Sequence, residues 1–317
     1  MVTRAEHRSE TDAAPAVRGP EVDLDLSVVA PAHNEEDNVV ALADEIGAAL
    51  SPLGIGFEFV LVDDGSTDAT RVRAEEAART RPWLRLIVNE QTPPGRGNGQ
   101  SSAFHAGFRA ARGRLIAVLD ADLQNDPGDI PAMLSELERT GADFVQGDRS
   151  RARADNWMRK QTSKIGRLFR GLILGDTIRD TGCSLRVMKR EIALALPLEF
   201  KGIHRFIPVT ARHLGYTVVE MPVNHRERHA GETKYGSMGI TKRAIPGLLD
   251  CFAVRWMASR RRPTAWSEAT PGSRSEATPG SRSEATPGAS GEGPRGSNAD
   301  VVVRGEAPAH QPAGDRA

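Results

Sequence analysis

At 317 residues, with 39% apolar side chains and 42 basic residues balanced by 42 acidic ones, the chain has length for one large domain or two small ones but too little apolar content for all of it to pack. The balanced charge gives no broadly basic surface for nucleic acid. Two distant cysteines, Cys183 and Cys251, argue against a disulfide framework or a zinc cluster and suit a reducing cytosol.

Residues 1–23 are polar and lack the apolar core of a signal peptide, so they read as a disordered leader. Packing begins with an apolar run from Leu24 to Pro31, followed by a helix-like stretch from Glu35 to Leu50. The alternation continues with Phe57 to Val62, the helix-like Asp68 to Arg79, Leu84 to Asn89, the helix-like Ser101 to Arg112, and Leu115 to Leu119. Short apolar strands alternating with helices predict an α/β fold, with a mostly parallel, doubly wound sheet covered on both faces. Ligands of such sheets sit beyond the carboxyl ends of the strands. Polar motifs fall at those ends: Asn34-Glu35 after the first run, Asp63-Asp64 after the second, and Asp120 and Asp122 after the fourth.

Part of the Val62 to Asp68 segment has an ordinary explanation, a turn at Gly65 and a helix cap at Thr67 or Asp68. Two adjacent aspartates at a strand end are left over, and a carboxylate there suits a base or ribose. In Leu119-Asp120-Ala121-Asp122-Leu123-Gln124-Asn125-Asp126-Pro127, two aspartates spaced by two direct oxygens to one side of an extended backbone. That arrangement suits Mg²⁺ or Mn²⁺ bridging to a diphosphate, while Asp126-Pro127 reads as a helix start. No G-x-x-x-x-G-K-[ST] loop occurs, and Gly95-Arg96-Gly97-Asn98-Gly99 does not follow a strand in the dinucleotide pattern, so ATPase and NAD-dependent readings rank low.

Four motifs in order, Pro31 to Glu36, Val62 to Asp68, Gly99-Gln100 leading to Ala106-Gly107-Phe108, and Asp120 to Pro127, resemble family 2 glycosyltransferases. Within that family the chain is similar to the polyprenyl-phosphate sugar transferases, over roughly residues 26–238. The resemblance implies a GT-A fold over residues 24–240 and an inverting transfer. It places Pro31, Ala32, Asn34, Glu35, Asp63 and Asp64 around the nucleotide together with Asp120, and gives Asp120, Asp122 and Gln124 to the metal. It also makes Asp180 and Arg186, in Asp180 to Arg186, the acceptor-site segment. The run His225 to Gly236 resembles the subgroup's basic loop, in which Arg226, Arg228 and Lys234 suit phosphate oxygens. Asp122, Arg186 and Arg226 are the expected catalytic residues.

The implied partners are a nucleotide-sugar donor, GDP-mannose or UDP-glucose, and a polyprenyl phosphate acceptor. A phosphate acceptor is already ionised near neutral pH, so no general base is expected. No run approaches the ~18 apolar residues of a spanning helix. Docking to the cytoplasmic membrane face is expected instead from two stripes with basic flanks. One is Ile165, Leu168, Phe169, Leu172 and Ile173 with Lys164, Arg167 and Arg170. The other, within a basic amphipathic helix over residues 241–262, is Ile245, Leu248, Leu249, Phe252 and Trp256 before Arg260, Arg261 and Arg262. Attachment is then peripheral or through a membrane-protein partner. Residues 263–317 carry SEATPGSR at Ser267 to Arg274, again at Ser275 to Arg282, and in part from Ser283, a composition that predicts a disordered tail.

Overall fold

The computed structural model describes residues 24–150, 157–226 and 239–262, with the backbone alone for 157–165 and 239–245. The expected leader, the repeat tail, and Arg228 and Lys234 of the basic loop lie outside the described residues.

Four strands form the half of the sheet anticipated from the sequence: β1 (Leu26–Ala32), β2 (Phe57–Asp63), β3 (Leu84–Val88) and β4 (Leu115–Val118), all parallel in the order β3-β2-β1-β4. In β1 every residue but Pro31 is buried, as a strand covered on both faces requires. Three further strands, absent from the sequence reading, complete the sheet: β5 (Phe144–Asp148), β6 (Arg186–Lys189) and β7 (Val218–Pro222), placed beyond β4 in the order β6-β5-β7. β6 runs antiparallel to both β4 and β5. These strands lack a continuous apolar run. Phe144–Asp148 even buries Gln146, whose amide donates to the carbonyls of Gly147, Asp180 and Cys183 at 3.1, 3.2 and 3.0 Å.

The helices are α1 (Val39–Leu50), α2 (Thr70–Thr80), α3 (Gln100–Ala110), α4 (Ile130–Thr140), α5 (Trp157–Leu174), α6 (Arg190–Ala195), α7 (Ile207–His213) and α8 (Gly239–Arg260). Alternate strand residues feed two cores. Leu26, Val28 and Ala30 of β1, with Phe59 and Leu61 of β2, pack under α1, α2 and α4. Val29, Val60, Val62, Ile116 and Val118 face α3, α6, α7 and α8. α1 starts four residues later than expected because the loop ahead of it is tied elsewhere. The N–H groups of Glu35 and Glu36 donate to the Thr70 hydroxyl and the Asp68 carboxylate at 2.8 and 3.3 Å.

A tight approach in the second core is at Gly107 of α3. A β-carbon there would lie 2.5 Å from Val29 Cγ1 and 2.9 Å from Val62 Cγ2. Gly107→Ala should therefore overpack the α3–sheet contact and cost about 2 kcal/mol in denaturant unfolding, despite the higher helix propensity of alanine. A variant as stable as wild type would show that α3 can shift freely.

At the amino-terminal ends of the strands, away from the candidate site, Glu58 is buried. It accepts from Ser27 Oγ at 2.7 Å, from Arg85 at 2.6 Å, and from the Arg112 backbone and side chain at 2.7 and 2.9 Å. Burial pulls its pKa upward, but the hydrogen bonds from Ser27, Arg112 and Arg85 together outweigh it and hold the group below its ordinary 4.5. A lowered folded-state value means stability that is present above the unfolded-state pKa and is lost as pH falls through the folded-state one. Glu58→Gln should cost about 2 kcal/mol near neutral pH, since Arg85 and Arg112 are partly solvated, and should flatten the acid limb of stability against pH. An unchanged acid limb would remove Glu58 from the cause.

Candidate active site

The first two strand tips are laced together. Ala32 pairs with Asp63 in the β1–β2 ladder, and its carbonyl accepts from the N–H of Asp64 at 2.9 Å. Pro31 and Ala32 thus form the floor at the end of β1. Asn34 follows in the left-handed region, φ 57°, which asparagine tolerates better than most residues. Its side-chain oxygen accepts from Thr67 N at 2.8 Å, and its own N–H donates to Ser66 Oγ at 3.0 Å. The Glu35 carboxylate accepts from Asn38 at 2.7 Å.

The two adjacent aspartates divide the scaffolding between them. Asp63, fully buried, takes two donors from Arg71 on one oxygen, at 3.1 and 2.9 Å, and Ser66 N on the other at 3.0 Å. Asp64 accepts from Asn89 and Thr92 at 3.0 and 2.7 Å, and from the N–H of Gly99 at 2.7 Å. Gly99 has φ 92°, a conformation that costs a glycine little. Asp64 therefore clamps the loop containing Gly95 to Gly99 and sets where α3 begins. Beside this loop lies a polar cavity of about 500 Å³, lined by Arg96, Asn98, Ser101, Ser102, Glu199 and Lys201 among others, in the size range of small-molecule sites.

Beyond β4 the chain turns sharply through Leu123, a buried residue with φ 60°. For a leucine that conformation stores roughly 1–2 kcal/mol. The turn brings Gln124 N to within 3.2 Å of Asp122 Oδ1. Asp120 is oriented from both sides, by Gln100 Nε2 at 2.8 Å and by a short hydrogen bond from Ser184 Oγ. Its pKa is raised, by burial first and then by the neighbouring Asp122 carboxylate. A carboxylate whose charge is disfavoured by burial and by an acidic neighbour fits a hard divalent cation. Among the described residues no cluster of three His, Cys, Asp or Glu side chains completes a cage. Asp120 and Asp122 would thus leave the remaining coordination to diphosphate oxygens and water, as Mg²⁺ commonly requires. Gln124 meets Asp122 through its backbone. Asp126 accepts from Gly128 N at 2.9 Å, the helix start expected from the sequence.

Because β6 is antiparallel, its first residue lies at the carboxyl ends of the parallel strands. Arg186 is that residue, in register with Val118 of β4 and Gln146 of β5. It is only 3% exposed. Its guanidinium donates to the Cys183 carbonyl at 2.6 Å and the His204 carbonyl at 3.4 Å, and its Nε has no hydrogen-bond partner. Burial lowers its pKa to about 10, which leaves it charged at neutral pH. Among the described residues no carboxylate forms a salt bridge with it, although it and Arg149 both act electrostatically on Asp120. Asp120 and a buried cation thus lie within electrostatic reach of one another.

The other residues expected on the acceptor side already have partners. Asp180 takes a two-pronged ion pair from Arg149 at 2.9 and 3.2 Å, and accepts from Gly182 N at 3.1 Å. Arg226 is held by Glu45 of α1 and by Asp126, both at 2.7 Å, and its N–H donates to the Gln124 carbonyl at 2.9 Å. Cys183 is buried, and burial pushes its thiol up to about 11, which rules out a thiolate nucleophile at neutral pH.

Four residues at the site were not selected from sequence. Gln100 and Ser184 sat inside conspicuous segments, whereas Arg149 and His204 carried no local signal. His204 Nδ1 lies 2.9 Å from Ser101 Oγ. Burial, with Arg205 and Arg186 nearby, lowers the pKa of His204 to about 3, so it is neutral beside the pocket.

Elsewhere, α5 and α8 pack together through Phe169 and Phe252, edge-on at 6.0 Å. Leu168, Leu172, Leu249, Phe252 and Trp256 remain exposed. Arg170 of the first expected basic flank is paired with Asp176 at 3.0 Å. The side chains of Lys164, Ile165 and Ile245 lie outside the described residues. Among the described residues no helix is long and apolar enough to cross a membrane.

Comparison with known proteins places this geometry in context. The family model described as Glycosyl transferase family 2 matches residues 27–196. A dodecaprenyl-phosphate galacturonate synthase from Rhizobium johnstonii is 40% identical over 238 residues, covering 74% of this chain and 69% of that protein. An undecaprenyl-phosphate 4-deoxy-4-formamido-L-arabinose transferase from Edwardsiella ictaluri is 39% identical over 218 residues, 68% of this chain and 64% of the relative. The chain thus spans about two thirds of the length of these relatives. Among solved structures, glucosyl-3-phosphoglycerate synthase from Mycobacterium tuberculosis, in complex with Mn²⁺, UDP and glucosyl-3-phosphoglycerate, aligns with TM-score 0.53 at 22% identity. That alignment covers 72% of this chain and 80% of the other. A mannosyltransferase from Pyrobaculum calidifontis, in complex with GDP-Man and Mn²⁺, aligns with TM-score 0.54 at 20% identity, over 78% and 67% of the two chains. The seven-stranded sheet and its helices are therefore shared with sugar transferases of the GT-A type.

Proposed function

Since the chain belongs to glycosyl transferase family 2, we propose that it transfers a sugar from a nucleoside diphosphate to a polyprenyl phosphate at a membrane surface. One observation carries this reading. A buried arginine, Arg186, with no carboxylate of its own among the described residues, stands one sheet register from the strand whose extension bears Asp120 and Asp122. Such a pocket holds negative charge on both sides of a transferred group. The names of the relatives, a dodecaprenyl-phosphate and an undecaprenyl-phosphate sugar transferase, support the acceptor class.

The floor formed by Pro31, Ala32, Asn34 and Glu35, with the loop clamped by Asp64, is where the nucleotide binds in this reading. Asp63 acts one step behind, holding the turn that positions Ser66. Asp120 and Asp122 hold Mg²⁺ or Mn²⁺, which when bound offsets the charge of the departing diphosphate. Gln100 and Ser184 fix the Asp120 carboxylate so that its oxygens need no reorientation on binding. Arg186 attracts the acceptor phosphate, and Arg149 holds Asp180 beside it. Arg226 reaches a phosphate only by leaving Glu45 and Asp126. Attack by an acceptor oxygen that is already ionised gives inversion at the sugar without a protein base. Neutral His204 is consistent with that scheme. The exposed apolar residues of α5 and α8 suit peripheral docking on the cytoplasmic leaflet.

The donor sugar is a hexose or a close derivative. The solved neighbours hold GDP-Man and UDP, in keeping with GDP-mannose or UDP-glucose as donor, and the name of the galacturonate synthase supports a uronic acid. Purified full-length chain, Mn²⁺, bacterial membranes and a panel of labelled nucleotide sugars test the scheme. Label should enter an organic-extractable product that mild acid releases. Label found only in water-soluble glycans would replace the lipid acceptor with a saccharide hydroxyl, and no transfer from any donor would favour a binding role.

A further inference from the structure

A second cavity lies away from the transfer site, between α7, the segment after α6 and the last turns of α8. We infer that it binds the headgroup of an anionic glycerophospholipid that carries a free hydroxyl. The cavity has a volume of about 310 Å³, with Pro197, Leu214, Val254, Trp256 and Met257 among its apolar walls. Two polar side chains belong to the same lining. Thr210 Oγ1 and His213 Nδ1, from lining residues three apart on α7 and hence on one face, are both buried without a hydrogen-bond partner. The other ring nitrogen of His213 lies 2.9 Å from the Leu174 carbonyl. A carbonyl only accepts, so Nε2 carries a proton, and Nδ1 is the ring nitrogen left to present a lone pair. Buried polar atoms in such a place call for a partner. A ligand hydroxyl satisfies both at once, donating to His213 Nδ1 and accepting from the Thr210 hydroxyl.

The same cavity is lined by Arg260 and Arg261, and the Arg260 guanidinium lies 5.8 Å from the centre of the Trp256 ring. Guanidinium groups match phosphate oxygens. Hydroxyl and phosphate together in a small space describe a glycerol-phosphate headgroup. Its acyl chains have a surface to follow, because Trp256 is also 61% exposed and continues into exposed Phe252 and Leu249 on the same helix. The site would make α8 selective for a lipid rather than merely attracted to negative charge. It is independent of the transfer reaction and stands or falls separately from it.

Flotation of the full-length chain with phosphatidylcholine vesicles tests this. The vesicles contain equal fractions of either phosphatidylglycerol or phosphatidylmethanol, which match in charge and differ in the headgroup hydroxyls. Wild type should partition about fivefold better onto phosphatidylglycerol, the gain expected from two modest hydrogen bonds. Thr210→Val with His213→Phe should bring that value down to the phosphatidylmethanol level, with sugar transfer in detergent unchanged. Thr210→Val alone should lose part of the preference. Arg260→Gln with Arg261→Gln should weaken binding to both vesicles alike. Equal partition of wild type onto the two vesicles would overturn the inference, leaving water as the partner of the orphaned atoms. So would a preference that survives the double variant in α7. Abolition of the preference by millimolar glycerol 3-phosphate would assign the cavity to a soluble ligand instead.

Discussion

Asp122→Asn should reduce sugar transfer at saturating donor by at least about 100-fold, the usual scale for losing one preorganised charge at a reacting centre. The fold should survive. Asn keeps an oxygen to accept the Gln124 N–H now bonded to Asp122 at 3.2 Å. The change also removes the like charge that contributes to raising Asp120, so the melting temperature should hold or rise. A direct readout is Mn²⁺ binding in the presence of nucleoside diphosphate, followed by the electron paramagnetic resonance of the ion, which should weaken in step with turnover. Unchanged turnover with Mg²⁺ or Mn²⁺ present would sink the metal assignment. Asp120→Asn is a poorer first test, because Gln100 and Ser184 both lean on that carboxylate and its loss also loosens α3.

Arg186→Met separates function from stability in the opposite direction. Arg186 is a buried cation, its Nε has no partner, and no salt bridge offsets its desolvation among the described residues. Replacing a buried charge by an apolar side chain of similar reach is often neutral or stabilising by about 1–4 kcal/mol. Transfer should nevertheless fall by about 100-fold or more, with much of the loss in the KM for polyprenyl phosphate rather than for the nucleotide sugar. A variant that is destabilised yet transfers within tenfold of wild type would make Arg186 a core residue. Arg186→Lys should recover little, since one ammonium cannot span the two carbonyls that the guanidinium now engages.

The parallel half of the sheet was legible because its strands are continuous apolar runs that end in acids. Its boundaries came within a residue or two, save for Glu35 to Val39, where side chains across the gap claim the backbone that a helix would use. The other half was not legible. Phe144–Asp148 buries a glutamine and an aspartate, and Arg186–Lys189 begins and ends in charge, so neither presents a strand-like period. Their burial is a property of the assembled sheet. The candidate site divides along the same line. Asp120 and Asp122 announced themselves by position after β4, whereas the partner that Arg149 gives Asp180 and the one that Glu45 gives Arg226 join residues 31 and 181 positions apart. No local spacing encodes such pairs. The turn at Leu123 was also hidden, since a left-handed leucine contradicts local preference.

The reversed direction of β6 has a consequence for rebuilding the enzyme. Its ladder to β4 joins the acid-bearing tip and the buried guanidinium in one rigid lattice, so their separation is counted in whole strand repeats. A chimaera that borrows residues 178–226 from a relative keeps that separation only if the ladder is copied residue for residue. Adding or deleting one residue before β6 would turn the arginine to the opposite side of the sheet, whereas lengthening an outer loop would leave the spacing intact.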